Sequence, residues 1–344
     1  MRVEQILAET ATHAPADIAV VAGKLRLSYG DLNRASDRLA AAIVARGVVR
    51  GDRIAVFMGN TWEAIVTIFG IMKAGAVFVP VDPATRSDEL AGLLNQVKAS
   101  TIITQARLGG TAGSAMANAP SVKLAVLAGG AGSAGGRGCL RFEDAIRTYS
   151  PAPGKAGCAE DAATIFDGDQ VVSHEQALAA SDAALAVLAT GREDVVLSAL
   201  SIAESFGLAQ VLAVIQSGGR LIVDAAFVLP QAIFRAMDDE GVTGLAVSAS
   251  GAEGIAGTET LLPGRFPRLR YVATGPAARP TDVARLQALF PDARIVATDT
   301  LNSHPDGPTS KSSRSVRTAP RDLGAPPMYL GAARECGEVR RLTA

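Results

Sequence analysis

The sequence predicts an α/β protein with largely parallel sheets, and three observations carry that prediction. Short apolar runs of strand character alternate with helical periods through roughly the first 300 residues. The chain has 344 residues, enough for two domains or for one large α/β unit with subdomains. Hydrophobic residues make up 48% and charged residues 19%, so a sizeable core can be buried and a disordered chain is excluded.

Ser28 followed by Asp31 marks a helix start. Leu32, Ala35, Leu39 and Ile43 then share one face of a helix ending near Gly47. RIAVFM (53–58) reads as a buried strand, Thr61 to Ala74 has helical period, and VFVPV (77–81) is again strand-like. Further strands are expected at TIIT (101–104), KLAVL (123–127), ATIF (163–166), DVVLSAL (194–200), RLIV (220–223), GLAVS (244–248), LRYVA (269–273) and ARIVA (293–297). Helical stretches are expected at 175–189, 206–217, 229–239 and 280–289. Residues 105–138, rich in Gly, Ala and Ser, read as a loop-bearing connection. The periodicity stops after Ala297, and 304–344 reads as an irregular, mobile tail.

The composition also excludes functions. Net charge is −1 and aromatics are 4%, which leaves no electrostatic footprint for nucleic acid or an anionic membrane. No uncharged apolar run is long enough to span a bilayer, and Glu4 and Glu9 interrupt the N-terminal pattern, so it does not read as a secretory signal. Cys139, Cys158 and Cys336 stand at unrelated spacings and build neither a disulfide framework nor a zinc site. A reducing cytoplasm is the expected compartment.

LSYGDLNRASDRLAAAI (27–43) is similar to an early "L-[TS]-Y-x-[ED]-L" helix, and GDRIAVFMGNTWEAIVTIFGIMKAGAVFVPVDP (51–83) matches the block that follows it. VLSALSIAESFGLAQVLAVIQSGGRLIV (196–223) resembles a block bearing "P-x-x-H-x-x-G", and LRYVATGPAARPTDVARLQALFPDARIVATDT (269–300) resembles the one before "Y-G-x-T-E". In chain order these segments resemble the adenylate-forming superfamily: acyl-CoA synthetases, aryl-acid ligases and peptide-synthetase adenylation domains. The resemblance implies the large N-terminal region of that fold over 1–303, with subdomains of about 1–160 and 161–303. It implies ATP, magnesium and CoA or a carrier thiol as the family's cofactors. Read on their own chemistry, the matching residues of 27–83 are scaffold. Lys73 is a solvated helix end, Gly75 a helix C-cap, and Pro80 and Asp82 strand-terminating turn residues.

The family's functional positions are degenerate. Its phosphate loop, [ST]-S-G-[ST]-T-G-x-P-K-G, wraps a triphosphate with backbone N–H groups and hydroxyls. Here only seven residues separate Phe166 from His174, and they include Asp167, Gly168 and Asp169, whose two carboxylates repel phosphate. A solvated turn is the expectation for them, not a metal site. Aligning 293–303 without a gap puts Asp299 at the position of the family's adenine-stacking tyrosine. Ser303 then stands at the position of its magnesium-holding glutamate. Glu204 takes the place of the histidine and reads as an exposed or helix-start residue, with Gly207 the one match in that motif. The chain also stops before the family's C-terminal domain and its lysine could be formed.

Three further segments are decoys. Gly130-x-Gly132-x-x-Gly135 spells a dinucleotide fingerprint, but no helix opens at once after it, so a flexible loop is expected. DGPTSKSS (306–313), with Lys311, Arg314 and Arg317, reads as solvated chain rather than a relocated phosphate loop. His174 resembles the family's helix-initiating position, and His13 and His304 have no partner in reach by sequence.

The expectation is therefore a non-adenylating homologue with no catalytic residue, no metal and no bound cofactor. It would serve as a binding or scaffolding partner in an acyl- or aryl-acid pathway, with an acyl or aryl acid, a carrier protein or a pathway enzyme as partner. The alternatives are an active AMP-forming ligase with a rebuilt or partner-completed site, and a decayed gene product with no selected role. The family's acyl pocket corresponds to segments that include Phe206, Ser248, Ser250 and Gly275, which specify little.

Overall fold

The computed structural model describes residues 1–130, 138–150, 158–224, 226–275 and 277–297. Residues Met1–Leu301 form one compact unit. Its elements run α1 (Val3–His13), β1 (Ile18–Ala22), β2 (Leu25–Ser28), α2 (Tyr29–Ala45), β3 (Arg53–Phe57), α3 (Trp62–Lys73) and β4 (Val77–Val81). Next come α4 (Ser87–Gln96), β5 (Thr101–Gln105), α5 (Gly109–Ala117), β6 (Leu124–Ala128), β7 (Cys139–Arg141), α6 (Phe142–Thr148), β8 (Ala162–Phe166), β9 (Gln170–Ser173) and α7 (His174–Leu188). The chain continues through β10 (Val195–Ala199), α8 (Ser205–Ser217), β11 (Arg220–Ile222), α9 (Pro230–Glu240) and β12 (Gly244–Val247). It ends, among the described residues, with α10 (Ala249–Ala256), β13 (Tyr271–Thr274), α11 (Pro280–Leu289) and β14 (Arg294–Ala297).

Two seven-stranded sheets result, ordered β14-β13-β12-β10-β11-β1-β2 and β7-β6-β5-β3-β4-β8-β9. All pairings are parallel except the two hairpins, β1 with β2 and β8 with β9. Each hairpin sits in the sheet whose other strands come from the far side of residue 160, so that boundary does not separate the sheets.

The alternating faces of each strand divide the apolar residues into three cores. The central core joins Val196, Leu221 and Ala273 of one sheet to Ile54, Val56 and Phe78 of the other, through α1, α2, α3, α6, α7 and α8. The outer face of the first sheet packs under α9, α10 and α11, and that of the second under α4 and α5. This unit is built in five layers, α-β-α-β-α. The central helices α3 and α8 are buried on nearly every side, which is why their sequences are almost uninterrupted in apolar character.

The helix start at Ser28 is a capping box: its hydroxyl accepts from Asp31 N–H at 3.1 Å, and the Asp31 carboxylate reaches back to Ser28 N–H at 3.2 Å. The stretch 105–138, expected as a loop-bearing connection, also holds the helix Gly109–Ala117, which buries Ala112 and Ala115 against the second sheet. Small side chains permit that close packing, and tertiary contact overrides the weak propensity of glycine. Lys73 is not a solvated helix end. Its side chain is 10% exposed, and its ammonium donates to Asn33 O at 3.0 Å, Asn33 Oδ1 at 2.6 Å and Asp37 Oδ1 at 2.6 Å. Pro80 does not end its strand but lies within β4, where Phe78–Thr164 is the one registered pair with β8. A residue lacking an N–H is tolerated beside a rung that is not made. Gly75, at φ 73°, follows α3 as a left-handed cap, and Asp82 Oδ1 accepts from Ala84 N–H at 2.7 Å in a turn.

Candidate functional site

In an open parallel sheet, ligands bind outside the carboxyl ends of the strands, where the strand order reverses. In the first sheet that point lies between β10 and β12, because the chain leaves β10 through α8 to β11 on one side and returns through α9 to β12 on the other. The segments that open there are 200–204 and 248–250, the second running into α10, flanked by Thr274 at the end of β13 and Gly275 just after it. These are the segments that hold Glu204, Ser248, Ser250 and Gly275.

Glu204 is the N-cap residue of α8, half-buried, with a side chain that makes no capping hydrogen bond. Burial, and then the nearby Asp82 charge, raise its carboxyl above the ordinary glutamate range. The expectation of a helix-start residue holds, and exposure is only partial. Asn60, from the loop after β3 in the second sheet, laces this corner together. It donates to the carbonyl of Leu200 and accepts from Ile202 N–H at 3.1 Å. The one residue that matches the family motif, Gly207, has a local reason. A Cβ there would stand 2.0 Å from the carbonyl oxygen of Ser201, so the loop folds over the first turn of α8 only if no side chain intervenes.

Ser248 caps α10 by accepting from Gly251 N–H at 3.1 Å, and its hydroxyl lies 3.0 Å from that of Ser250. Gly275 sits close by, since a Cβ on it would be 3.2 Å from Leu200 Cδ2 and 3.3 Å from Ser248 Cα. The structure thus brings Ser248 and Gly275 together around Leu200. Ser248 is occupied with capping, however, and Leu200 fills the space between. Phe206 is 7% exposed and belongs to the same central core as Leu200 and Ala273.

Asp167, Gly168 and Asp169 form the tip of the β8–β9 hairpin. Asp167 and Gly168 have φ 50° and 81°, and Asp169 N–H donates to Phe166 O at 3.2 Å, so the turn is of the tight hairpin kind. Both carboxylates are exposed, as expected of a solvated turn. The strand β9 then leads straight into α7 at His174, again through a capping box, Ser173 with Gln176. Asp299, Ser303, Gly132, Gly135, His304, Cys336 and the segment 304–344 lie outside the described residues.

His174 is fully buried rather than part of any open site. Its Nδ1 accepts from Val3 N–H at 3.2 Å, and its Nε2 is 3.1 Å from Arg2 Nη2. His13 does have a partner, the Glu9 carbonyl at 2.8 Å within α1. Among the described residues no group of three or more His, Cys, Asp or Glu could hold a metal ion, and no helix is long and apolar enough to cross a membrane. A separate polar concavity of ≈ 440 Å³ lies at the opposite edge, where β1, β10 and β11 begin, lined by Asp17, Arg192, Asp194 and Arg220. Its main charges are already matched, Arg192 with Asp17 at 2.6 Å and Asp194 with Arg270 at 2.7 Å, so it reads as a seam between elements and not as a reaction site.

Comparison with known proteins adds to this geometry. The family described as AMP-binding enzyme matches residues 7–165. Bacitracin synthase 1 of Bacillus licheniformis is 33% identical over 103 residues, 30% of this chain and 2% of that protein. Surfactin synthase subunit 2 of Bacillus subtilis (strain 168) is 39% identical over 90 residues, 26% of this chain and 2% of that protein. The chain therefore spans only a few hundredths of the length of these relatives. Among solved structures, a benzoate CoA ligase from Burkholderia xenovorans LB400 matches with TM-score 0.78 and 19% identity, over 86% of this chain and 60% of that one. The N-terminal domain of FACL13 from Mycobacterium tuberculosis matches with TM-score 0.75 and 20% identity, over 86% of this chain and 75% of that one. At such identities these two likenesses speak to the fold.

Proposed function

From a chain that is related to the AMP-binding enzymes and shares their α/β fold, we propose a non-adenylating homologue that serves as a binding or scaffolding partner in an acyl- or aryl-acid pathway. The observation that carries this reading is the β8–β9 hairpin. Where the resemblance calls for a ten-residue phosphate cradle, the chain turns through Asp167, Gly168 and Asp169 and goes directly into β9 and α7. A tight turn offers few free N–H groups, and its two exposed carboxylates oppose a triphosphate. Glu204 supports the same reading. It sets a carboxylate at the N-terminus of α8, beside Asp82, in the crevice where the family places a histidine.

Likeness to peptide-synthase chains favours a carrier protein or a neighbouring pathway enzyme as the partner. Titration calorimetry with Mg-ATP, together with pyrophosphate exchange over a panel of carboxylic acids, tests the proposal. Neither binding nor exchange is expected, since each missing charge-assisted hydrogen bond takes away about 1.5–3 kcal/mol of affinity. Micromolar Mg-ATP binding would overturn the reading in favour of a ligase whose site is rebuilt or completed by another chain.

A further inference from the structure

The polar concavity at the amino ends of β1, β10 and β11 has firmly held walls. Asp194 N–H donates to Gly191 O at 3.0 Å, closing the turn Gly191-Arg192-Glu193-Asp194, and Gly191 N–H donates back to Asp194 Oδ2 at 2.8 Å. Arg220 N–H ties β11 to that turn through Asp194 O at 2.8 Å. The lead into β11 passes close by, since a Cβ on Gly219 would stand 3.1 Å from Gly191 O and 3.3 Å from Asp194 O. Such contact fixes the two segments in one arrangement before any ligand arrives, and preorganisation of this kind lowers the cost of binding.

The charges that line the concavity divide into committed and uncommitted groups. Asp194 accepts from Thr243 Oγ1 at 2.6 Å, from Arg270 Nη1 at 2.7 Å and from Gly191 N–H, so it is saturated. Arg192 directs Nε and Nη2 at Asp17 Oδ2, at 2.9 Å and 2.6 Å, which leaves the second Asp17 oxygen open. Two groups have no partner among the described residues. The guanidinium of the half-buried Arg220 makes neither hydrogen bond nor ion pair, and its Nε is shut off from solvent. The exposed Glu193 carboxylate is likewise unpaired.

A buried donor without an acceptor is costly, so Arg220 calls for an oxyanion. A simple anion fits poorly, because Asp17 and Glu193 stand on the same walls and repel it. A simple cation meets Arg220 and Arg192. Only a molecule with both charges satisfies the whole set.

We propose that this concavity binds a small zwitterion, a carboxylate and an ammonium joined by a few carbon atoms. The carboxylate takes the Arg220 fork, whose planar donors match it in pairs. The ammonium takes the open oxygens of Glu193 and Asp17. The volume of ≈ 440 Å³ suits a small molecule. This site and the crevice at Glu204 lie at opposite ends of β10, and binding here does not depend on whether the chain adenylates. A bound ligand fastens β1, β11 and the turn before β10 to one another, and so stabilises the folded chain.

Titration calorimetry and thermal melts of the full-length chain test this with glycine, β-alanine and γ-aminobutyrate. Acetate and methylammonium serve as probes of one charge each. At least one zwitterion should bind saturably at about millimolar concentration or below and raise the melting midpoint, while neither single-charge probe does so. Arg220→Gln and Glu193→Gln should each weaken that binding about tenfold or more, since each removes one charge-assisted contact. Neither side chain has a partner to lose, so both variants should melt like the parent when no ligand is present. The proposal fails if no zwitterion binds, if acetate binds as well as the zwitterions, or if either variant binds like the parent. Loss of binding on Glu204→Gln, with Arg220→Gln unaffected, would place the ligand in the crevice and equally overturn it.

Discussion

Arg2 and His174 meet in the central core with Arg2 Nη2 3.1 Å from His174 Nε2, while Val3 N–H approaches Nδ1 on the other side of the ring at 3.2 Å. Both ring nitrogens thus face donors, so either neutral tautomer sets one ring N–H against a donor, and a protonated ring would set both. Burial first, and then the Arg2 charge, lower the imidazole to about 4, against a weaker opposing pull from Asp161.

Stability should therefore fall on acidification. Between pH 6.5 and about 4 the unfolded chain binds a proton at position 174 that the folded chain refuses, so stability is lost as pH falls through that window. The loss is up to about 3 kcal/mol, by the value of a pKa unit. Glu4, raised by burial, works in the opposite direction, and its raised carboxyl favours the folded state as pH falls. Urea unfolding of the parent and His174→Gln at pH 7 and pH 4.5 isolates the histidine. The variant should show a flatter dependence, and equal slopes would remove His174 as the cause.

The Lys73–Asp37 pair gives an asymmetric prediction. Burial lowers the Lys73 ammonium, and the hydrogen bond from Lys73 to Asp37 opposes that shift. Asp37→Ala leaves a buried cation without its counter-charge and should cost about 3–5 kcal/mol. Lys73→Met removes the charge and keeps the volume, so it should cost distinctly less. Chemical denaturation of both variants checks the order, and a larger loss for Lys73→Met contradicts this account.

Two glycines should respond in opposite directions. Gly207→Ala drives a methyl into the Ser201 carbonyl and should cost about 3 kcal/mol or open the loop at 200–204. A methyl added at Gly92, inside α4, would meet nothing within 4 Å, so Gly92→Ala should stabilise by about 0.5–1 kcal/mol. Thermal melts of the two variants decide it. A neutral Gly207→Ala would mean that the loop is free to move.

The parallel strands are legible in the sequence because strands such as β4 and β6 are buried on both faces and read as continuous apolar runs. The hairpin strands β1, β2 and β9 are not. β2 and β9 are exposed along their first two residues, and neither shows a clean alternation. Helix α1 has a readable signal in Val3, Ile6, Leu7 and Ala11, which share one face, but Glu4 and Glu9 stand out there only as arguments against a secretory signal. At the candidate site, helix-start and turn residues are readable from local chemistry. The role of Asn60 is not, since it bonds a loop more than a hundred residues away, and spacing carries no signal of that.

The placement of each hairpin in the sheet of the other half sets an order on folding as the chain is synthesised. Strand β1 has no parallel partner until β11 exists, since Val20 pairs with Leu221. At typical synthesis rates that delay is roughly 10–40 s, a long time for an apolar strand to wait with one edge open. Contacts so distant in sequence are slow to close even in a finished chain. The first hairpin must stay available, neither pairing with the nearby β4 edge nor sticking to a neighbouring nascent chain, while β8 and β9 emerge and claim that edge first. Translation pauses, or a chaperone that shields residues 18–28, should therefore change the yield of native protein more than they change its final stability.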